Sequence, residues 1–298
     1  MLIDTHAHLN FTAFEKDREK VIKNCLEKDV WMINIGTNFK TSKKAVGITK
    51  NYQTGVFAAI GLHPINLDTG LVKIKADELE EKSFEKEFDY EKYKKLALNG
   101  AKGTKKVIAI GEIGLDYYWR PKTTRKKELF KQKQKELLSE ELKLAKELNL
   151  PVIFHCRMAH DDLIEVLKSK VKSQKSKIEG VMHGFVGTLE QLQEYLKMGL
   201  YIGFNGIIFK KIEGIDFEEN IKKTPLDRIL VETDCPYLTP PIGVNPRFNQ
   251  RESASAIRNE PLYVKYVAKR IAEIKEVGVG EVANITTENA KKLFKLQS

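Results

Sequence analysis

Residues 107–155 read VIAIGEIGLDYYWRPKTTRKKELFKQKQKELLSEELKLAKELNLPVIFH, and they contain one full repeat of the fold. The stretch opens on an apolar, β-branched run, VIAIGE (107–112), and closes on another, PVIFH (151–155). Between them Leu129, Phe130, Leu137, Leu138, Leu142, Ala145 and Leu148 are spaced by three, four or seven, which makes one amphipathic helical stripe. Asn149, Leu150 and Pro151 end that helix and start the next strand. Continuous apolar strands separated by a helix indicate a parallel sheet buried on both faces.

The same rhythm runs along the whole chain. Strand-like runs recur at LIDT (2–5), WMINIGT (31–37), VFAAIGLH (56–63), GVMHGF (180–185), YIGFNG (201–206) and RILVETD (228–234), besides the two above. Eight units of this kind predict an α/β fold closed as a (β/α)8 TIM barrel, in preference to an open doubly wound sheet. No Gly-x-Gly-x-x-Gly follows the first strand, which removes the main reason to expect a dinucleotide-binding fold. Segments 66–105 and 236–260 exceed a minimal barrel; the first is expected to add a helix and an exposed loop. The second is Pro-rich and follows the last strand, where a long loop is expected to be functional. The tail after Gly280 reads as two short helices closing the barrel. No linker or abrupt composition change divides the chain, so residues 1–298 are expected to form one domain.

Composition narrows the function. The 298 residues carry 51 Lys+Arg against 41 Asp+Glu, a formal net charge of +10, which fits a polyanionic partner such as nucleic acid. The lysines alternate with glutamates along helices, as solvated helix faces do, so charge alone is a modest pointer. No apolar stretch approaches the ~18–20 residues of a membrane span, and Asp4 and His6 interrupt any signal-peptide core. Cys25, Cys156 and Cys235 are scattered and form no Cys-x-x-Cys, as in a reducing cytosol; a cytoplasmic, monomeric protein without a membrane partner is expected.

In a (β/α)8 barrel the active site lies at the C-terminal ends of the strands. There the sequence places His6 and His8, His63, Glu112, His155, His183 and Asp234. His6 and His8 share a strand face through the two-residue period. Five histidines and two carboxylates on one rim predict a metal site. They exceed the needs of one tetrahedral centre, so two divalent metal ions are expected, with Glu112 as the bridge. His6, His8 and Asp234 would complete one site, and His155 and His183 the other. Such a pair activates water and steadies both oxygens of a phosphoryl displacement. The imidazole-rich set suits zinc, manganese or iron better than magnesium. Cys156 and Cys235 read as small packing residues beside proposed ligands.

The chain resembles the TatD family of metal-dependent deoxyribonucleases nearly end to end. IDTHAHLN, IGLHP, IGEIGLDYYW, LPVIFHCRMAHDD, MHGF, ILVETDCPYLTP and RNEP follow the family's order. The resemblance implies divalent-metal ligands at His6, His8, Glu112, His155, His183 and Asp234. It also implies magnesium-dependent 3′-to-5′ exonuclease action on DNA, preferably single-stranded. On that basis His63 is expected near the scissile phosphate as a donor. Asp234 is expected to accept or relay the proton, and Arg157 and Arg258 to hold substrate phosphates. Tyr117, Tyr118 and Trp119 are candidates for stacking on an unpaired base. The chain departs from the family at Met158, where Asp or Glu is frequent, and in FNQRESASAI before RNEP, where a Gly-Lys-rich string is usual. Both departures concern substrate choice. The rival expectations are a hydrolase of another bond on the same fold, an amidohydrolase or a D-aminoacyl-tRNA deacylase, and a non-catalytic nucleic-acid-binding protein.

Overall fold

The computed structural model describes residues 1–72, 83–98, 106–174, 177–242 and 257–296. The parts of the two long insertions at 73–82, 99–105 and 243–256, including most of FNQRESASAI, lie outside the described residues. Eight parallel strands form one sheet in sequential order. They are β1 Leu2–Ala7, β2 Val30–Ile35, β3 Val56–Ile60, β4 Val107–Asp116, β5 Val152–Arg157, β6 Gly180–Met182, β7 Tyr201–Phe204 and β8 Ile229–Val231. The helices between and after them are α1 Arg18–Glu27, α2 Phe39–Thr49, α3 Tyr90–Leu98, α4 Thr124–Leu148, α5 His160–Gln174, α6 Leu189–Lys197, α7 Phe217–Lys223, α8 Val264–Lys275 and α9 Val279–Phe294. The (β/α)8 barrel is therefore present. Among the described residues no helix is long and apolar enough to cross a membrane.

Burial explains the near-continuous apolar strands. One cluster unites Ile3, Ile33, Phe57, Ala109, Ile153, Val181 and Leu230 of the sheet with Ala290, Leu293 and Phe294 of α9. A second, larger cluster packs the other strand face against the surrounding helices. The α9 segment is one helix, where two were expected. Its Thr286–Thr287 pair is a poor helix former, but Thr286 Oγ1 donates back to Val282 O (2.8 Å). Asn289 donates to Leu226 O and Ile229 O, both 2.9 Å. These bonds tie α9 to the start of β8, and tertiary burial overrides local propensity.

The α4 stripe also differs from its sequence reading. Leu129 is exposed, while Gln134 and Glu141 are buried among Phe130, Leu137, Leu138, Leu142 and Ala145. The two polar residues serve strand ends. Gln134 makes a paired hydrogen bond with the Asp116 backbone, accepting from its N (2.8 Å) and donating to its O (2.9 Å). Glu141 accepts from Leu62 N (2.8 Å), just before His63. Burial pushes the Glu141 carboxyl well above the usual range.

Side chains complete the seam between β8 and β1. Past the last ladder pairs, Asp234 N donates to His6 O (2.8 Å) and His8 N to Cys235 O (2.9 Å). Asp4, fully buried in β1, accepts from Thr233 N (2.8 Å), Thr233 Oγ1 (2.6 Å) and His6 N (3.2 Å). Burial holds its carboxyl well above the ordinary range, against the pull of those donors. Asp4→Ala strands the two Thr233 donors in a dry seam and should cost about 3 kcal/mol in denaturant unfolding. A loss below about 0.5 kcal/mol would show that water or a neighbour replaces the carboxylate.

Candidate metal centre

The expected rim residues lie in the C-terminal halves of their strands or just past them, but the elements are cut differently from the sequence runs. β4 continues past Glu112 to Asp116 through a register shift between Gly111 and Ile113. Glycine is required at 114: φ is +152°, and a Cβ would lie 1.9 Å from His155 O. The close approach draws β4 and β5 together where Glu112 and His155 meet. His63 lies beyond β3, capping a short 3₁₀ turn, Pro64–Asn66.

Glu112, almost fully buried, sits at the centre. Its Oε1 lies 2.7 Å from His155 Nδ1, 3.6 Å from His63 Nε2 and 3.9 Å from His183 Nε2. Its Oε2 is 3.4 Å from His6 Nε2. His6 Nε2 and His8 Nε2 converge to 3.2 Å, and His8 Nε2 is 3.4 Å from Asp234 Oδ1. Burial pushes the Glu112 carboxyl up, but the electrostatic influence of the surrounding His63 and His6 and the hydrogen bonds from His155 and His6 outweigh it and hold the group well below the usual range. Burial likewise raises Asp234, and the neighbouring imidazoles of His8 and His183 bring it below.

Three groups of side chains have donor atoms close enough to share an ion: His6, Glu112 and His183; His6, His8 and Asp234; and His63, Asp116 and His155. The expected division put His183 with His155. The tertiary structure instead stacks the His183 ring on His6, centroids 3.4 Å apart, and turns His155 toward Asp116, Nε2 to Oδ2 3.0 Å. Asp116 and Glu232 were missed in the sequence reading. Both carry a usable signal: each is a carboxylate within four residues of an expected ligand, Asp116 after Glu112 and Glu232 before Asp234.

Hydrogen bonding sorts the histidines by tautomer. His8 Nδ1 lies 3.0 Å from Ile35 O, a pure acceptor, so Nδ1 carries the proton and Nε2 turns a lone pair to the site. Glu232 Oε1 stands 2.9 Å from His183 Nδ1 as an ion-pair partner behind the ring, whose Nε2 faces Glu112 and Asp234. Glu232 also accepts from Gly184 N. His63 is reversed. Its Nδ1 accepts from Ile65 N (3.0 Å), so the neutral ring carries its proton on Nε2. Burial, with the charge of His155, lowers His63 to about 3 and keeps it neutral. His8 and His183 are thus arranged as ligands, and His63 as a donor. Convergent imidazole nitrogens with carboxylate oxygens between them are the donor set of a divalent transition metal.

Arg258, expected to grip phosphate, is otherwise engaged. Its guanidinium donates to both carboxylate oxygens of Asp17 (2.9 and 2.6 Å) and to Ala13 O (2.6 Å), and covers the buried Phe14 ring at 4.2 Å. It therefore acts as a strut between the loops after β8 and β1. Arg157 instead lies exposed over the Tyr118 ring. Tyr117, the first stacking candidate, is buried beside Phe130.

Fold and rim together define a metal-dependent hydrolase on a (β/α)8 barrel. The chain belongs to the TatD-related DNase family, whose model matches residues 3–295. It is 38% identical over 298 residues to an uncharacterized metal-dependent hydrolase, YabD, of Bacillus subtilis, covering 99% of this chain and all of that one. It is 31% identical over 296 residues to the 3′-5′ ssDNA/RNA exonuclease TatD of Erwinia tasmaniensis, with 99% and 100% covered. Among solved structures, the TatD homologue YJJV of Escherichia coli K12 matches with a TM-score of 0.76 at 28% identity, covering 99% of this chain and 98% of that one.

Two outcomes follow from the geometry. In the metal-free protein burial lowers His155 and His183, but the hydrogen bonds His155 donates to Asp116 and Glu112 raise it to about 9, and Glu232 raises His183 to about 10. Both folded values exceed the unfolded ~6.5. Their contribution is therefore full below about pH 6.5 and lost as pH rises through about 9 and 10. The melting temperature of chelator-treated protein should fall over that window, and metal-loaded protein should not follow it. A parallel fall in both samples would place the transition elsewhere. Arg258→Ala should lower stability by about 1 kcal/mol through the lost Asp17 pair and leave the salt dependence of DNA binding intact. A slope reduced by about one phosphate contact would return Arg258 to substrate binding.

Proposed function

We propose that this chain, acting as one cytoplasmic domain, hydrolyses phosphodiester bonds in single-stranded DNA from the 3′ end, using two divalent ions bridged by Glu112. The observation that carries the reading is the position of Glu112, whose two oxygens face different histidines of one rim. The Erwinia relative's name supports the choice of bond and strand. The dispersed free cysteines fit a reducing compartment. When bound, divalent ions supply Lewis-acid neutralisation of the phosphoryl oxygens and a more acidic water; zinc or manganese suits the nitrogen-rich donors, and magnesium is implied by the family.

The chain's own residues divide the remaining work. His6, His8, His183 and Asp234 hold one side of the site, His155 with Asp116 the other, and Glu112 faces both. Asp234, kept ionised by His8 and His183, takes the proton of the attacking water. His63 offers its Nε2–H to a phosphoryl oxygen. Being neutral, it donates without adding a charge to be desolvated. The exposed Arg157 guanidinium meets the strand itself.

The deciding experiment supplies end-labelled single- and double-stranded DNA and RNA with Mg²⁺, Mn²⁺ or Zn²⁺ in turn. Single strands should shorten from the 3′ end, and chelation should stop the reaction. Hydrolysis of an amide or aminoacyl ester with nucleic acid untouched would replace it. Glu112→Gln keeps the shape but removes the bridging charge, and should lower turnover more than about 100-fold with the fold intact, since several kcal/mol of charge stabilisation is lost. Near wild-type turnover at saturating metal would remove Glu112 as the bridge.

A further inference from the structure

We propose that the Tyr118–Arg157 stack on the barrel rim is a platform for an unpaired nucleobase of the substrate strand, an inference that rests on the nucleic-acid reading above. β4 and β5 end side by side, with Asp116 paired to Arg157 in register. Tyr117 N donates to Arg157 O (2.9 Å) and locks the two ends together. Just beyond, Tyr118 is 47% exposed, and the Arg157 guanidinium carbon lies 3.5 Å from its ring centroid. Trp119 meets the same ring edge-on, centroids 5.0 Å apart. Met158, 60% exposed at a φ of +56°, flanks the stack.

Exposure and charge set this stack apart from ordinary loop packing. Neighbouring Tyr117 is buried, whereas Tyr118 leaves a large apolar ring in water with a cation on its face. Arg258 is neutralised by Asp17; among the described residues no carboxylate pairs with Arg157. A planar guanidinium held flat by an aromatic ring presents a rigid, cationic surface. Bases stack on such planes with little regard to identity. A base within a duplex has both faces covered, so this surface selects for an unpaired one.

The stack is also coupled to the metal centre. Tyr118 N donates to Asp116 Oδ1 (2.9 Å), while Asp116 Oδ2 lies 3.0 Å from His155 Nε2. One carboxylate thus positions both the platform and a candidate ligand. A nucleotide whose phosphate lies at the Glu112 cluster has its base, or that of the next residue, within reach of Arg157. The substrate class is accordingly a single strand or a frayed end, read by the presence of a base rather than by its sequence.

The test measures anisotropy of a labelled, cleavage-resistant phosphorothioate single strand on the metal-loaded protein. The same strand lacking one terminal base, and its duplex, serve as comparisons. Arg157→Lys keeps the charge and removes the plane; Tyr118→Ala removes the support, and Tyr118→Phe retains it. Arg157→Lys and Tyr118→Ala should each weaken the intact single strand about tenfold and lose the distinction between intact and base-free strands. Tyr118→Phe should bind as the wild type does. Equal binding by Arg157→Lys, or equal weakening of intact and base-free strands, would make the contact electrostatic and overturn the platform. If Tyr118→Ala fails to fold, Arg157→Lys decides alone. Wild-type hydrolysis of methyl p-nitrophenyl phosphate, a diester without a base, reports separately on the underlying function. No turnover there removes the phosphodiesterase reading, whereas turnover with base-insensitive binding removes only the platform.

Discussion

A buried carboxylate must be surrounded by positive charge or donors, and Glu112 imposes that demand on the whole C-terminal rim. Desolvation alone would protonate it. It stays ionised because His6, His63, His155 and His183 arrive from four other parts of the barrel and face its two oxygens. The arrangement is costly to half-build, since any imidazole without the carboxylate would itself be desolvated. Completeness of the set is thus a physical requirement as well as a catalytic one.

The surrounding architecture serves that cluster at a distance. Polar residues on the buried face of α4 brace the two strand ends that need it: Gln134 holds Asp116, and Glu141 holds the backbone before His63. Asp4 secures Thr233 next to Asp234 across the β8–β1 seam. Arg258 and Asp17 tie together the loops that follow His8 and Asp234. The first three braces are buried and lie within a few residues of a rim side chain, while the partly exposed Arg258–Asp17 pair holds the longer loops. The site is therefore fixed by the barrel's own hydrogen bonds.

Tautomer control gives the histidines different employment although they are chemically identical. A carbonyl behind His8 and a carboxylate behind His183 turn lone pairs inward, whereas an amide N–H behind His63 turns a proton inward. The nitrogen that reaches the site is Nε2 in all three. What differs is the group one bond behind the ring, and that group decides between ligand and donor.

The strand–helix rhythm and the polar residues at strand ends were legible in the sequence, because strand period and barrel topology are local and repetitive. They placed His6, His8, Glu112, His155, His183 and Asp234 on one rim without any coordinates. What sequence could not show is which of them face each other. His183 pairs with His6 across the barrel, and β4 runs on through Gly114 to deliver Asp116 to His155. The roles of Gln134 and Glu141 in an apolar stripe, the single α9 helix, and the capture of Arg258 by Asp17 were equally hidden. Each depends on a contact between residues distant in the chain, and hydrophobic period carries no record of a polar partner on another element. The sequence by itself determined the barrel and the residues on its rim. Only the tertiary structure decided how those residues are grouped, oriented and protonated, because these follow from distances of a few ångströms between separate strands.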